Sequence, residues 1–242
     1  MAVPGSGKSV CTNVIINGLL SYNVELYLID YKVCELAPYR TIRQCKLFEY
    51  EEEKITEALT NILDIIKQEY QQLLSEGKTH SNKYSTVKVL VIEELAQASK
   101  EDLKLLSKIA SIGRAVNWRI VATIQRGDAV TLTPQLKCHF TNKICFKTSD
   151  TNNSKVVIDS DVCAYIKQIG RGYYLKDGNL IQFQGFYILE SQIKETIDKN
   201  KKKTINDKVK AEPKNEDANV MACVNKANVN DKVENEDWIN QL

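Results

Sequence analysis

A glycine-rich run close to the amino terminus, A-V-P-G-S-G-K-S at residues 2–9, has the residue types of a phosphate-binding loop. Glycines let several backbone N–H groups approach one anion, and a helix that begins at the loop adds its dipole to the attraction. In such a loop Lys8 reaches the β- and γ-phosphates of a nucleotide, and the Ser9 hydroxyl binds Mg²⁺. The run therefore predicts a site for ATP and Mg²⁺, although Ala2 stands where the usual pattern has glycine. The predicted nucleotide-binding residues are Ala2, Val3, Pro4, Gly5, Ser6, Gly7, Lys8, Ser9 and Val10.

Two adjacent acids, Glu93 and Glu94, end the apolar run V-L-V-I-E-E farther along the chain. Ligands of open α/β sheets bind at the carboxyl ends of the strands, which is where these side chains are expected to lie. A carboxylate at the first position suits the Mg²⁺ shell, and one at the second position suits polarisation of the attacking water. We therefore predict that both acids are catalytic, with Glu93 at the metal and Glu94 at the water. A solvated acidic pair at a strand end is the alternative.

A third polar group of interest follows a later apolar run, in T-I-Q-R at residues 123–126. A side chain at this strand end lies beside the phosphate loop, so Gln125 is predicted to sense the γ-phosphate or to orient the water. Arg126 and Arg114 are candidates for an arginine that reaches the ATP of a neighbouring subunit, because such a residue stabilises charge in the transition state. A surface position or a contact with DNA phosphate is the alternative for each arginine.

The elements that must position these residues follow from the spacing of apolar side chains. Apolar residues at three- and four-residue steps predict helices, and short apolar runs predict buried strands. Helices are predicted at residues 9–20, 50–76 and 100–110, strands at 25–30, 87–92, 119–123 and 143–147, and a hairpin at 172–175 and 180–184. The alternation of strands and helices predicts an α/β fold with a mainly parallel sheet flanked by helices.

The start of the sheet and the end of the chain are both unusual. A phosphate-binding loop normally follows a buried central strand, so we expect the first strand to be missing unless another segment occupies its place. We then expect this chain alone to be an impaired enzyme or a non-catalytic ATP-binding fragment. Composition divides the chain into an ATPase domain at residues 1–195 and a polar tail at residues 196–242, which is predicted to be disordered. The last residues, D-W-I-N-Q-L, suit a docking peptide for a partner, and an unpartnered Trp238 is the alternative.

Composition argues against several other classes of protein. A net charge of +2 over 242 residues provides no overall positive field for nucleic acid, so DNA binding must depend on local features. Seven cysteines without a C-x-x-C pair and only two histidines argue against a zinc site. No apolar stretch approaches the ~20 residues needed to span a bilayer, and the amino terminus lacks the layout of a signal peptide. A cytoplasmic protein is expected, brought to the inner face of a membrane only by other segments or partners.

Four motifs occur in an order that resembles the FtsK/SpoIIIE family of DNA translocases. They are G-S-G-K-S-V-x-x-N, L-I-D-Y-K-x-x-E-L-x-x-Y, V-L-V-I-E-E-L-A and G-R-A-x-N-W-R-I-V-A-T-I-Q-R. In the second motif Asp30, Lys32, Glu35 and Leu36 match the family's I-D-P-K-x-x-E-L, while Tyr31 replaces the proline. A later run, I-G-R-G-Y-Y-L, resembles a glycine-containing strand near the end of the family's motor core. The resemblance covers residues 2–190.

The resemblance implies a RecA-like P-loop ATPase that forms a homo-oligomeric, hexameric ring and moves double-stranded DNA through its channel. Such motors act in chromosome segregation or in conjugative transfer. The membrane segments and the winged-helix DNA reader of the family are not recognisable here, which favours a mobile-element or plasmid-type member. A secretion-type ATPase that moves protein cargo shares the same nucleotide motifs and is the alternative function.

Overall fold

The computed structural model describes residues 1–82, 85–125 and 131–202, and a parallel sheet lies at its centre. Its four strands follow the order β2-β1-β3-β4, and every neighbouring pair is parallel. The strands are β1 (Val24–Asp30), β2 (Cys45–Glu49), β3 (Val87–Glu93) and β4 (Trp118–Ala122). The register sets Asp30 directly opposite Glu93. Polar residues at the carboxyl ends of β1 and β3 are thereby brought to one edge of the sheet.

Six α-helices accompany the strands in the described part of the chain. They are α1 (Lys8–Leu19), α2 (Glu52–Ser75), α3 (Lys100–Gly113), α4 (Pro134–Lys137), α5 (Thr151–Ile158) and α6 (Glu190–Asn200). The long helix α2 buries Ile55, Leu59, Ile62 and Ile66, which recur at three- and four-residue steps and therefore share one face. Helix α3 begins with a capping box in which Ser99 and Asp102 satisfy each other's backbone N–H groups.

The parallel sheet is buried on both faces. Alternate residues of β3 point to opposite sides: Leu90 and Ile92 join the core formed with α2 and α3, while Val89 and Val91 join the core with α1 and α6. Consecutive apolar residues in one strand are expected when helices cover both faces of a parallel sheet. Two separate hydrophobic cores thus hold the central strands in place.

A second, antiparallel sheet follows in the order β5-β6-β7. Its strands are β5 (Lys143–Phe146), β6 (Arg171–Lys176) and β7 (Asn179–Gln184). The turn between β6 and β7 places Asp177 and Gly178 at φ angles of 49° and 77°, the conformation that suits Asp-Gly in a tight hairpin. The hairpin predicted from the sequence is confirmed.

The α/β fold with a parallel sheet flanked by helices is also confirmed, with several differences in detail. Strand β2 and helices α4, α5 and α6 were not predicted, and the strand at residues 143–147 belongs to the antiparallel sheet. The predicted domain boundary after residue 195 falls inside α6, whose Ile197 is buried in the core against α1. The disorder predicted for the rest of the tail lies outside the described residues from position 203 onward. Within the described ranges, no helix has both the length and the apolar content needed to cross a membrane.

Candidate nucleotide-binding site

The loop that precedes α1 is built for a close approach to an anion. Gly5 and Gly7 have positive φ angles of 76° and 114°, which residues with a β-carbon rarely adopt. Ser6 closes the turn, because its backbone N–H and its hydroxyl both donate to the carbonyl of Val3, at 3.2 and 2.6 Å. A β-carbon on Gly7 would lie 3.3 Å from Cα of Gly170, so this glycine also permits contact with the segment before β6. Helix α1 begins at once after the turn, and its unpaired amino-terminal N–H groups suit phosphate.

Lys8, the first residue of α1, carries a buried ammonium group at the carboxyl edge of the sheet. Its Nζ forms an ion pair with Glu93 Oε1 at the end of β3 and donates to Thr123 Oγ1, 3.3 Å away, just after β4. Lys8 is 8% exposed and Glu93 is 0% exposed. Buried charges are costly unless they are paired, so each of these groups compensates the other. The structure thus brings the glycine-rich loop and the first predicted acid into direct contact.

Glu94 has a left-handed backbone conformation, with φ 65° and ψ 60°. This conformation is uncommon for a residue with a side chain, and it recurs at functional sites. Its N–H donates to Thr123 Oγ1 at 3.1 Å, and its Oε1 accepts the backbone N–H of Gln125 at 3.0 Å. Its Oε2 lies 2.9 Å from Nζ of Lys32 in an ion pair that lacks the alignment of a hydrogen bond. Groups from two other segments of the chain, one after β1 and one after β4, therefore hold Glu94 in place.

The segment after β1 is folded by a single buried acid. Asp30 is fully buried, and its Oδ1 accepts the N–H groups of Lys32 and Val33, both at 3.0 Å. Its Oδ2 accepts the N–H of Leu36 at 2.8 Å. Because these bonds curl the backbone around one carboxylate, Lys32 is directed to Glu94 and the segment returns toward α1.

Two predicted Mg²⁺ ligands, Ser9 and Glu93, present oxygen atoms of the kind that Mg²⁺ prefers. The Ser9 hydroxyl donates to Glu35 Oε1 at 2.7 Å. Oε2 of Glu93 is buried and has no hydrogen-bond partner among the described residues, which leaves it available to a cation or its water. Among the described residues, no cluster of three or more His, Cys, Asp or Glu side chains could hold a metal by itself. The residues fit Mg²⁺ that arrives with a nucleotide, since that ion usually takes one or two protein ligands and completes its shell with phosphate and water.

The remaining predicted site residues take different positions. Gln125 lies next to the acids and contacts Glu94 through its backbone N–H. Arg114 is exposed and follows α3 at the amino end of β4, at the opposite end of the strand from Thr123. The position of Arg114 does not test whether it contacts the ATP of a neighbouring subunit, so this role stays a prediction. Arg126 lies outside the described residues.

The other residues of the predicted loop surround the turn. Ala2 is fully buried, and its N–H donates to the carbonyl of Ile124 at 3.3 Å. Pro4 is exposed at the turn, and Val10 is half-buried in the first turn of α1. The backbone of these residues, rather than their side chains, is what the loop offers to a phosphate.

Three residues of the site received no role from the sequence: Lys32, Glu35 and Thr123. Lys32 and Glu35 belong to the motif I-D-Y-K-x-x-E-L, so their spacing after a buried strand was the available signal. Thr123 is the first residue of T-I-Q-R, and its hydroxyl links Lys8 to the backbone of Glu94. Its importance depends on the pairing of β3 with β4, which the motif alone does not reveal.

A sequence model of the FtsK/SpoIIIE family matches residues 3–163 of the chain. The chain is 26% identical over 218 residues to the DNA translocase SftA of Bacillus subtilis (strain 168), a match that covers 80% of this chain and 23% of SftA. It is 23% identical over 224 residues to the DNA translocase SpoIIIE of the same organism, covering 80% of this chain and 28% of SpoIIIE. The chain thus spans about a quarter of the length of these curated relatives.

Two solved structures have the same fold. The pCW3 conjugation coupling protein TcpA, solved as a monomer with ATPγS, matches with a TM-score of 0.71 at 22% identity, covering 82% of this chain and 62% of that chain. EssC from Geobacillus thermodenitrificans, solved as its ATPases 2 and 3, matches with a TM-score of 0.71 at 17% identity. The match covers 88% of this chain and 44% of that chain. At these identities the likeness establishes the fold, and the P-loop ATPase architecture predicted from the sequence is confirmed.

Proposed function

Because the chain belongs to the FtsK/SpoIIIE family, we propose that it is the ATP-hydrolysing unit of a motor that moves double-stranded DNA. The observation that supports this most directly is the buried contact between Lys8 of the glycine-rich loop and Glu93 at the end of β3. That contact joins a phosphate-binding loop to the acids expected to act in hydrolysis. Relatives named DNA translocases are similar to this chain over 80% of its length.

ATP binding is proposed to exchange one partner of Lys8 for another. The backbone N–H groups of the loop and of the first turn of α1 bind the β- and γ-phosphates, and Lys8 turns from Glu93 to the phosphate oxygens. This frees Glu93 to hold Mg²⁺ together with Ser9, and the ion when bound would neutralise charge on the phosphates. The buried ion pair therefore keeps both charged groups compensated until the nucleotide arrives.

Hydrolysis is proposed to use Glu94 as the group that polarises the attacking water. The N–H of Gln125 and the Thr123 hydroxyl hold this residue in its strained conformation, so its carboxylate needs little reorganisation during the reaction. Lys32 contacts the same carboxylate and fixes its orientation. In this arrangement Thr123 and Lys32 are positioning residues, and Glu94 acts on the water.

The proposed motor works as a homo-oligomer in the cytoplasm, with a hexameric ring as the expected assembly. Double-stranded DNA passes through the ring and contacts basic side chains through its phosphates, which makes binding salt-sensitive and independent of sequence. Arg114 or Arg126 of one subunit serves the ATP of the next. The tail after residue 202 docks on a partner, and any association with the inner face of a membrane depends on other segments.

ATP turnover in the presence and absence of linear duplex DNA tests this proposal. We expect DNA to stimulate turnover by the chain, and Lys8→Ala to lower turnover by roughly 10²–10³-fold, because the mutant lacks the charge that contacts the transferred phosphate. The matched control is Lys46→Ala, which removes an exposed lysine of the edge strand β2 that pairs with Glu25 of β1 and should leave turnover unchanged. Near-normal hydrolysis by Lys8→Ala would contradict the assignment of the loop. Stimulation by a protein cargo and not by DNA would instead indicate a secretion-type ATPase.

A further inference from the structure

The glycine-rich loop contacts the antiparallel sheet as well as the acids. The carbonyl of Ser6 accepts the N–H of Gly170 at 3.0 Å, and the carbonyl of Gly170 accepts the N–H of Gly185 at 2.7 Å. Gly170 directly precedes β6 and Gly185 directly follows β7, so the hairpin begins and ends beside the loop. Two hydrogen bonds thus connect the phosphate-binding turn to the segment that follows β7.

A buried aromatic ring holds this junction together from below. A β-carbon on Gly7 would lie 3.6 Å from Cε1 of Phe146, and one on Gly185 would lie 3.8 Å from the same atom. Phe146 is 2% exposed, and its ring meets that of Phe183 edge to face with a centroid distance of 5.6 Å. Gly172 makes room for Phe183, because a β-carbon there would lie 2.8 Å from that ring. The run I-G-R-G therefore serves to set the end of β7 against the loop.

The three most exposed large apolar side chains in the described part of the chain flank this junction. Phe186 is 84% exposed and Tyr187 is 77% exposed, directly after Gly185, and Ile169 is 78% exposed, directly before Gly170. Aromatic side chains gain from burial, and a group of them left in water marks a surface that binds something. Here the surface is continuous with an anion-binding turn, so it lies beside the groups that hold the phosphates.

We propose that Phe186 and Tyr187 form the subsite for the base of the nucleotide whose phosphates bind the glycine-rich loop. Their rings provide flat apolar faces on which a purine such as adenine stacks. This inference rests on the proposed function and deepens it, because the loop by itself contacts only phosphates. The loop then supplies the anion contacts, and the segment after β7 supplies the contact that distinguishes a nucleotide from a bare polyphosphate.

The chemistry of the two neighbouring surfaces favours this occupant over others. A nucleotide joins an anionic chain to a flat apolar ring, and the junction places a turn of backbone N–H groups beside two exposed aromatic rings. Small-molecule sites are typically lined by aromatic side chains with a few polar groups that fix orientation. Stacking on an aromatic ring is tolerant of the base, because every base has a π-face. Phe186 and Tyr187 are therefore expected to add affinity for nucleotides in general rather than to select one base.

Comparing two ligands that differ in the base tests the proposal. Isothermal titration calorimetry measures the affinity for ATP and for inorganic tripolyphosphate, each with Mg²⁺. The double variant Phe186→Ala and Tyr187→Ala should bind ATP about tenfold or more weakly and tripolyphosphate as before. Phe186→Tyr retains an aromatic face and should retain the affinity for ATP. The matched control is Leu74→Ala, which removes a side chain 59% exposed in the last turn of α2, at the amino edge of the parallel sheet.

The outcomes separate this inference from the proposed function. Unchanged ATP affinity in the double variant, or equal losses for both ligands, would overturn the base subsite and leave the loop assignment standing. Unchanged ATP affinity together with a changed oligomeric state, measured by light scattering, would assign the surface to another copy of the chain and overturn the base subsite as well. Lys8→Ala should weaken both ligands, since both present phosphate to the lysine. Normal binding of both by Lys8→Ala would contradict the loop assignment itself.

Fluorescence provides a second readout at the subsite. Phe186→Trp introduces an exposed indole, whereas Trp118 is 2% exposed. ATP should quench the added emission of this variant relative to the unmodified chain, because a stacked purine contacts the indole directly. Tripolyphosphate at saturating concentration should leave that emission unchanged. An equal response to the two ligands would mean that the loop, and not the base, alters the surroundings of residue 186, and the proposal would be wrong.

Discussion

The two edges of β4 differ in kind. Along one edge five residues pair with β3 in an unbroken parallel register, and along the other the strand borders a cleft of about 740 Å³ that separates it from β5. At its carboxyl end β4 leads to Thr123, which contacts both Lys8 and Glu94, and both Thr123 and Lys8 also line the cleft. The comparison teaches that the acids lie on the paired side of β4, whereas the lysine of the glycine-rich loop reaches both sides. Variants at the acids and variants at the far wall of the cleft should accordingly affect different properties.

The largest effect is expected at the acids on the paired side. Glu94→Gln should preserve ATP binding and slow hydrolysis by about 10²–10⁴-fold, because the amide cannot take the proton from the attacking water. Nucleotide affinity and single-turnover hydrolysis measure the two properties separately. Glu93→Gln is the matched variant. It should instead weaken the binding of Mg²⁺ and so raise the Mg²⁺ concentration needed for half-maximal turnover. If Glu93→Gln binds ATP normally and fails to hydrolyse it while Glu94→Gln is active, the two roles are exchanged.

The second-largest effect is expected on stability, and it should differ between the core on one side of β4 and the cleft on the other. Ile92→Ala removes a side chain that is 1% exposed in the core between β3, α2 and α3, and it should lower the free energy of unfolding by about 2–5 kcal/mol. Ile144→Ala makes the same chemical change at a half-buried position that lines the cleft, and it should cost less than about 1 kcal/mol. Urea unfolding of both variants measures the difference. Equal losses would mean that the cleft is as tightly packed as the core.

The smallest effect is expected at the ion pair that orients Glu94. Lys32→Gln removes the charge 2.9 Å from the carboxylate and should lower the hydrolysis rate about tenfold, with little change in melting temperature. Lys46→Gln is the control, since this exposed lysine of the edge strand β2 pairs with Glu25 of β1 at 3.4 Å, far from the acids. A loss of stability without a loss of rate in Lys32→Gln would assign this lysine a purely structural role.

Local patterns in the sequence predicted the elements that form from neighbouring residues. The helices at residues 9–20 and 50–76 correspond to α1 and α2. Apolar residues recur on one face of α2, whereas the buried face of α1 includes Lys8 and Thr12. Strand β2 has a short, partly exposed pattern and was missed, since pairing with β1 is what holds it. Helix α6 was divided by the predicted boundary, because its polar composition resembles the tail and its burial of Ile197 is decided by contact with α1.

By itself the sequence determined the chemical groups: a glycine-rich turn that admits an anion, a lysine beside it, and acids at the end of an apolar strand. These follow from local chemistry, since φ angles, hydrogen-bonding capacity and charge belong to single residues and their neighbours. Only the tertiary structure decided which groups meet. The contact of Lys8 with Glu93, the ion pair of Lys32 with Glu94, and the cleft between β4 and β5 depend on the order of strands in the sheet. That order is set by burial of both faces of the sheet and by long-range pairing, which no local pattern contains.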